Sequence, residues 1–354
     1  MNGVAVTLLR EQRSVALSLA AVVVALGIGV LLVAAIGVPV GEATAAFADG
    51  AWGTPYAVAA SLNRSIVFAL VGLGFVLANR AGLTNVGGEG QIAIGAIAAT
   101  ATCLHGGVAG LPGGLAFAVP VLAACVAGGL WGGIAGWLKA RVGTNEVISS
   151  LMLSFIAVWL LYGSVQSEAL LRQPMTTSAT LPESLEIPDA TKLPLLTGDP
   201  AFPLHGGVLL ALLLAVAVHL VLNRTVFGLR LRAAGLNALA ARRAGIAIVP
   251  SIVGVFVAAG ALGGLAGALM LQGEQYSLKA GFSSGYGFDG LVVGLLARGS
   301  VPGVLAGALL FGFMRSGGIT MEMVAAVPSA LVLVIQGVII VALAGASRWL
   351  GDAR

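Results

Sequence analysis

The chain has 354 residues, of which 58% are hydrophobic and 9% are charged, with a net charge of +4 and a mean hydropathy of +1.03. Ordinary globular domains carry roughly 25% charged residues, so this composition excludes a soluble globular protein and indicates an integral membrane protein. We therefore expect the net positive charge to lie in loops on the cytoplasmic side of a membrane, and not on a nucleic-acid surface.

Apolar runs long enough to cross a bilayer recur along the whole chain. A spanning helix needs ~20 mostly apolar residues, and lipid requires that every backbone polar group be satisfied internally. We predict an all-α, polytopic helical membrane protein with one transmembrane domain over residues 1–354 and about ten membrane segments. In chain order the predicted segments are Val15–Val38, Leu62–Ala78, Gln91–Leu104, Leu115–Leu138, Glu146–Gln166, His205–Leu222, Ser251–Gln272, Gly290–Ala297, Val301–Met314 and Ala325–Ala344.

The distribution of basic residues predicts the orientation of these segments. With the N-terminus in the cytoplasm, most of the 18 lysines and arginines fall in cytoplasmic loops. The positive-inside rule therefore predicts that both termini are cytoplasmic. The first segment is longer than the apolar core of a cleaved signal peptide, so we interpret it as an uncleaved span.

Two predicted segments, Gln91–Leu104 and Gly290–Ala297, are too short to span comfortably. Glycine-rich or polar stretches flank both, which is typical of broken or re-entrant helices. Gly88-Glu89-Gly90 precedes the first and Phe288-Asp289-Gly290 the second, and the predicted topology runs them in opposite directions. They are either parts of an inverted repeat, with transport machinery at its interface, or a chance likeness in a chain with 52 glycines.

Other glycines are spaced for helix packing. Small residues four positions apart let membrane helices approach closely. We predict this role for the pairs Gly128/Gly132, Gly132/Gly136, Gly260/Gly264, Gly263/Gly267 and Gly303/Gly307.

Two loops differ from the rest of the chain in composition. Residues 167–203 are rich in prolines and acids, so we expect an extracytoplasmic loop that either meets an external partner or only joins two spans. Residues 223–250 concentrate arginines between two apolar runs, and we expect a cytoplasmic loop. Within it, the stretch from Asn237 to Gly245 fits a short helix with Asn237 as N-cap and Gly245 as terminator. A loop that only fixes topology needs charge but no ordered helix, so this organisation favours a docking site for a soluble motor subunit.

The candidate residues of a solute pathway are polar side chains at membrane depth and one aromatic ring. Such polar residues are costly in lipid, and they can hydrogen-bond a passing solute while a ring offers it a flat face. For one of them, Asn145, helix capping is the favoured alternative, whereas for Glu89 and Asp289 we favour the pathway. The set is Asn85, Glu89, Gln91, Asn145, Gln272, Glu274, Phe288 and Asp289.

The sequence predicts no catalytic residues and no metal site. No lysine follows a glycine as the phosphate-binding P-loop requires, and the three histidines lack the spacing of metal ligands. We therefore expect a chain that is not an enzyme and binds no cofactor itself.

Four stretches of the chain carry the pattern of a known family: Asn79–Gln91, Gly143–Leu153, Phe227–Ile246 and Gly287–Gly290. In this order they resemble the permease subunits of bacterial nucleoside ABC importers, which belong to the larger group of ribose and branched-chain amino acid permeases. The resemblance covers roughly Leu62 to Ala344. The chain departs from the family at Leu236 and Arg243, where the family often has an acidic residue and a tyrosine.

The resemblance implies a multi-pass permease of the bacterial inner membrane that translocates nucleosides, with purine nucleosides expected. It implies three partners: a cytoplasmic ATPase subunit that binds the ATP, a second homologous permease, and an extracytoplasmic lipoprotein that delivers the solute. The alternatives are a ribose-like sugar permease of the same type, a proton-coupled secondary transporter that uses Glu89 and Asp289, and a receptor or scaffold that transports nothing. By the resemblance, the element that couples to the ATPase contains Arg230, Arg232, Gly235, Asn237, Arg242, Arg243 and Gly245.

Overall fold

The computed structural model describes residues 23–24, 27–112, 114–176, 181–328, 331–338 and 341–342. These residues form helices, with isolated β-bridges and no named strand among them. Six of the described helices are long and apolar enough to cross a membrane. The prediction of a helical membrane protein is therefore confirmed, and the number of ten segments stays a prediction.

The helices follow the apolar runs of the sequence, and α1, α4 and α9 continue as π-helical turns over Asp49–Gly53, Leu138–Val142 and Leu271–Gln275. One helix, α5, has the bounds predicted for it. In chain order the named helices are α1 Val40–Ala48, α2 Pro55–Arg80, α3 Gly88–His105, α4 Leu115–Trp137, α5 Glu146–Gln166, α6 Gly207–Arg224, α7 Val226–Leu236, α8 Ala238–Arg243, α9 Ile248–Met270, α10 Tyr286–Leu296 and α11 Val301–Ala325.

The two helices that were predicted to be short are longer than their apolar runs. Helix α3 begins at Gly88 and has 18 residues, and α10 begins at Tyr286 and has 11. The apolar pattern places the start of each helix at its first apolar residue, whereas the structure includes the preceding glycines and acids in the first turn. Helix α3 therefore reaches the lower limit for a span, about 17 residues, and only α10 is clearly too short.

The first and last predicted segments lie partly outside the described residues. In Val15–Val38, residues 23–24 and 27–35 are helical, residues 36–37 form a turn, and Val38 lies in a loop. In Ala325–Ala344, Ala325 ends α11, residues 326–328 form a loop, and residues 331–338 and 341–342 are helical. The remaining residues of both segments lie outside the described residues.

The chain divides into two compact units, and the first comprises Met1–Ser61 and Phe313–Arg354. Within its described part, Gly50 lies against Ser316 and Thr320, where a Cβ would overlap both residues. The buried apolar cluster of this unit contains Val33, Ala43, Met321, Val327 and Val332.

The second unit, Leu62–Gly312, has a core in which helices α3, α4 and α9 pack through glycines. Gly128 and Gly132 of α4 lie against Gly260 of α9, and Gly95 of α3 lies against Gly264. A Cβ at any of these positions would meet backbone atoms of the neighbouring helix. Close backbone approach of this kind is how small residues hold membrane helices together, so the packing role predicted for Gly128/Gly132 and Gly260/Gly264 is confirmed.

Candidate functional site

The N-terminal ends of α3 and α10 meet head to head, at a junction formed by Gly88, Glu89, Gly285 and Gly287. Gly287 lies so close to Glu89 that a Cβ would overlap the Glu89 backbone. The Glu89 carboxylate accepts hydrogen bonds from the backbone N–H of Gly285 at 2.9 Å and of Gly287 at 2.7 Å. We call this arrangement the helix-end junction. It joins the two stretches whose likeness suggests an inverted repeat.

The chemistry of the helix-end junction explains why an acid lies in the core. A helix leaves its first N–H groups without partners, and its N-terminus carries a partial positive charge. Glu89 is only 5% exposed, and it supplies both acceptors and a negative charge to the start of α10. Glu89 therefore has a structural role, and its contact with a solute stays a prediction.

The first turn of α10 presents a ring and an acid side by side. Phe288 is 37% exposed, and Asp289 is partly exposed. Tyr286 in the same turn is buried and stacks on Phe68 of α2, with ring centroids 4.9 Å apart. Of the predicted pathway residues near the helix-end junction, Phe288 and Asp289 are thus the accessible ones.

The side-chain amides of Asn85 and Gln91 hydrogen-bond to each other. The Asn85 side-chain amide donates to Gln91 Oε1, and the Gln91 amide donates to Asn85 Oδ1, both at 3.3 Å. Asn85 Oδ1 also accepts from the Gly87 N–H at 2.9 Å. Both side chains are at most 5% exposed. The pair holds the turn before α3, and the structure gives it no open face toward a solute.

Asn145 caps α5, as the alternative interpretation of this residue predicts. Its Oδ1 accepts from the N–H of Val147 at 2.9 Å and of Ile148 at 3.3 Å. A salt bridge of 2.8 Å between Lys139 and Glu146 closes the same turn. The N-cap at Asn145 is therefore confirmed.

Gln272 and Glu274 lie in the π-helical turn that follows α9. Gln272 Nε2 donates to the carbonyls of Thr191 at 2.6 Å and Phe117 at 3.1 Å. In the described structure Gln272 Oε1 and Glu274 Oε1 are buried without a hydrogen-bond partner. π-Helical turns often occur at functional sites, and two free acceptors here suit a ligand with hydroxyl or N–H donors.

The loop over residues 181–205 is attached to the chain that follows α9. Its backbone N–H groups donate to carbonyls of that segment, in the bonds Leu193 to Gln272, Ile187 to Tyr276 and Ser184 to Leu278, at 2.8 to 2.9 Å. Lys192 pairs with Glu186 and Asp189 and lies 4.7 Å above the Tyr276 ring. This part of the predicted 167–203 loop is therefore an ordered element, and its contact with an external partner stays a prediction.

His205 ends this loop just before α6 and is buried, with 2% of its surface exposed. Its ring lies between Gly207 and Gly273, where a Cβ on either glycine would overlap it. Nδ1 accepts a hydrogen bond from the Gly207 N–H at 3.2 Å, so the neutral ring carries its proton on Nε2. Burial lowers the pKa of His205 from 6.5 to about 4.

The arginine-rich stretch 223–250 contains two helices, α7 and α8. Thr225 caps α7, because its Oγ1 accepts from the Gly228 N–H at 3.3 Å. The sequence pattern predicted α8 but not α7, because Gly228 and a mixed apolar and basic pattern hide the helical period. The threonine before Val226 is the signal that identifies the start of α7.

Helix α8 has the caps that the sequence predicts. Asn237 Oδ1 accepts from the Ala240 N–H at 3.0 Å. At the other end Gly245 has a φ of +82°, and the N–H groups of Gly245 and Ile246 donate to the carbonyls of Arg242 and Ala241 at 3.1 and 3.0 Å. This pair of hydrogen bonds forms a Schellman motif. The predicted short helix with its cap and terminator is therefore confirmed.

The surface of α7 and α8 combines exposed arginines with exposed leucines. Helix α8 buries only Ala241, and beside it lies a cleft of about 530 Å³ that Leu239 and Arg242 help to line. Leu236 is 81% and Leu239 62% exposed. Arg230, Arg232, Arg242 and Arg243 are exposed as well. A short, capped helix that its own chain hardly covers is suited to bind a partner.

Basic residues from other turns lie at the same end of the second unit. Arg80 Nη2 donates to Asn223 Oδ1 at 2.6 Å, and Gly82 packs against Gly235. Lys139 helps to line the cleft beside α8. The sequence interpretation counts Arg80 only as a cytoplasmic charge and Asn223 only as the first residue of the 223–250 loop, although Arg80 lies inside one of the four family stretches.

The sequence is similar to those of known membrane permeases. Residues 57–344 match the family described as branched-chain amino acid transport system, permease component. The chain is 36% identical to a glucose ABC transporter permease of Haloferax volcanii over 79% of this chain and 73% of that protein. It is 32% identical to a guanosine ABC transporter permease of Bacillus subtilis over 91% and 90%, and 30% identical to a nucleoside ABC transporter permease of Lactococcus lactis over 80% of each. No solved structure shows a significant match to the chain.

Proposed function

The chain belongs to the permease-component family of branched-chain amino acid transport systems, and we propose on that basis that it forms the membrane path of an ATP-driven importer. Subunits of this family are non-catalytic transport components, so ATP is bound and hydrolysed on a partner ATPase. A substrate-binding lipoprotein delivers the solute. The second half of the path is a homologous permease, since both guanosine permeases named for Bacillus subtilis are similar to this chain.

The observation that carries the proposal is the exposed surface of α7 and α8. Four arginines and three exposed leucines lie on helices whose ends are fixed by caps. In the proposal this surface faces the cytoplasm and receives the ATPase. The grouping of Arg80 and Lys139 at the same end supports that orientation by the positive-inside rule, with both termini cytoplasmic and the chain in a bacterial inner membrane.

The proposed solute is a nucleoside, and a purine nucleoside is the first candidate. The similarity to a guanosine permease over 91% of this chain supports it. Phe288 offers a face for a nucleobase, and Gln272 and Glu274 offer acceptors for hydroxyl and amine donors. A simple sugar is the second candidate, because it would use the same acceptors and a glucose permease is 36% identical to the chain.

Uptake by the assembled transporter in vesicles tests the proposal. The vesicles contain this chain, the paired permease and the ATPase, with the binding protein and labelled guanosine, glucose or ribose outside. We expect accumulation of guanosine that requires ATP. Accumulation driven by a proton gradient in the absence of the ATPase would overturn the importer proposal. ATP-driven uptake of glucose or ribose without uptake of guanosine would show that the solute is a sugar and not a nucleoside.

The same vesicles test the coupling role of α8. Replacing Arg242 by alanine and Gly245 by valine removes a charge and places a β-branched residue at a φ of +82°. We expect roughly tenfold slower ATP-driven uptake, because a left-handed β-branched residue costs about 1–2 kcal/mol and unravels the end of α8. Membrane insertion should be unchanged. An Asn237→Ser variant keeps a capping oxygen and should transport normally. Equal uptake rates in the wild type, the Arg242→Ala, Gly245→Val double variant and the Asn237→Ser variant would refute the coupling role of α8.

A further inference from the structure

A cleft of about 220 Å³ opens beside α7, between the end of α2 and the turn that joins α10 to α11. Each of these three elements contributes one arginine to it: Arg80, Arg232 and Arg298. We call it the arginine cleft. No acidic residue lines it, and none of the three arginines forms a salt bridge with any residue that the structure describes. Guanidinium groups converging on one cleft favour an anion with planar oxygens.

One of these arginines is held by hydrogen bonds within the chain, and another lies in an unfavourable backbone conformation. Arg80 Nη2 donates to Asn223 Oδ1 at 2.6 Å and to the Leu222 carbonyl at 3.4 Å, while its Nε is buried without a hydrogen-bond partner. Arg298 has a φ of +50°, a conformation that is unfavourable for a residue with a Cβ. Arg80 therefore has an unused donor, and Arg298 lies in a turn whose conformation is set by the fold and not by the residue.

A simpler explanation accounts for only part of this cluster. Basic residues are common at helix C-termini because they complement the helix dipole. That explains Arg80, the last residue of α2, and Arg298, which follows α10. It does not explain Arg232, which lies within the body of α7 and still lines the same cleft.

We propose that the arginine cleft binds a carboxylate side chain of the cytoplasmic ATPase subunit, as a second docking point beside α8. The inference rests on the proposed function. Leu236 lines the cleft and is 81% exposed, so a protein surface seated on the arginines would also cover this leucine. A phospholipid headgroup would carry similar charge. We favour a protein carboxylate because the last turns of α2 are buried within the protein and do not face lipid, with Leu77 6% exposed and Ala78 fully buried.

This second docking point touches the chain next to both helices of the helix-end junction. Arg80 precedes the turn that leads into α3, and Arg298 lies two residues after the end of α10. If the ATPase docked only on α8, its movement would reach only α9. A carboxylate in the arginine cleft would also transmit movement of the ATPase to the α3 and α10 pair.

Binding of the ATPase subunit to the membrane subunits in lipid nanodiscs tests the inference. The variants are Arg232→Ala and Arg298→Gly, the second of which suits a left-handed turn and should not unfold the subunit. We expect each to bind the ATPase roughly tenfold more weakly, the usual loss for one charge-assisted hydrogen bond. Arg141→Ala removes an exposed charge outside both the cleft and α7 to α8, and it should bind within about twofold of the wild type.

The outcomes separate this inference from the proposed function. Equal affinity of the Arg298→Gly and Arg141→Ala variants, with weak binding by the α8 variant, would overturn the arginine cleft alone. Failure of the wild-type subunit to bind the ATPase would overturn both.

Cross-linking identifies the occupant directly. A carbodiimide joins an amine to a carboxylate that it touches, and the chain has lysines only at 139, 192 and 279. In the assembled complex an Arg298→Lys variant should cross-link to an aspartate or glutamate of the ATPase. An Arg141→Lys variant serves as the control. A yield for Arg298→Lys no higher than that of the control would contradict the proposal and would leave a lipid phosphate as the occupant.

Discussion

At the scale of single residues, the chain uses polar side chains to fix helix ends. Glu89 caps α10, Asn145 caps α5 and Asn237 caps α8. In lipid an unsatisfied backbone N–H has no water to bind, so the buried Glu89 cap contributes more to order than a cap at a soluble surface would. Residues that look like a solute pathway in the sequence can therefore be structural first.

Glu89→Gln is expected to lower the free energy of unfolding by roughly 2 kcal/mol. The amide keeps one acceptor oxygen, but its NH₂ faces the second N–H, and the charge opposing the dipole of α10 is lost. Thermal unfolding in detergent measures the change, with Glu168→Gln at an exposed position as control. Unchanged stability together with lost uptake would show that Glu89 serves the solute and not α10.

His205 makes stability depend on pH. Its pKa falls from 6.5 to about 4 on burial, so between these values the unfolded chain binds a proton that the folded chain rejects. Stability is full above pH 6.5 and should decrease by up to roughly 3 kcal/mol as pH falls to 4. His205→Asn keeps an acceptor for the Gly207 N–H and should flatten this dependence in thermal unfolding. His105→Asn, at an exposed histidine, should keep the dependence; the reverse pattern would refute the assignment.

At the scale of helices, the contact between α4 and α9 depends on which glycines lie at the crossing. A Cβ on Gly264 would meet the backbone of α4, whereas Gly254, on the same helix, has nothing within 4 Å. Gly264→Ala should therefore lower stability by about 1–3 kcal/mol through overpacking. Gly254→Ala should leave stability unchanged or raise it by about 0.5–1 kcal/mol, because alanine is the better helix former. Equal unfolding curves for the two variants in detergent would contradict this packing.

The helices also show which predictions a sequence supports. Apolar length was sufficient for α5 and, with the caps Asn237 and Gly245, for α8. It failed at the starts of α3 and α10, where glycines and an acid enter the helix because the two ends cap and pack against each other. That contact joins residues about 200 positions apart, as the sequence separation of Glu89 and Gly287 shows, and no local pattern encodes it.

At the scale of the whole molecule, the sequence predicts the class and the family better than the site. Hydropathy identifies a membrane protein, and four ordered stretches identify the permease family. Among the candidate pathway residues, Asn85 and Gln91 form a closed pair, and Phe288 and Asp289 remain accessible. Whether a polar side chain faces a neighbour or a passage depends on helix rotation, which composition does not specify.

Helix α9 and its π-helical turn form one continuous element of 28 residues, Ile248–Gln275. At 1.5 Å per residue it is roughly 40 Å long. One end follows α8 after the turn at Gly245, and the other end holds the 181–205 loop through Gln272. If the ATPase moves α8, a continuous helix of this length would carry that displacement to the far loop. The movement of the ATPase and the release of the delivered solute would then both depend on displacement of α9.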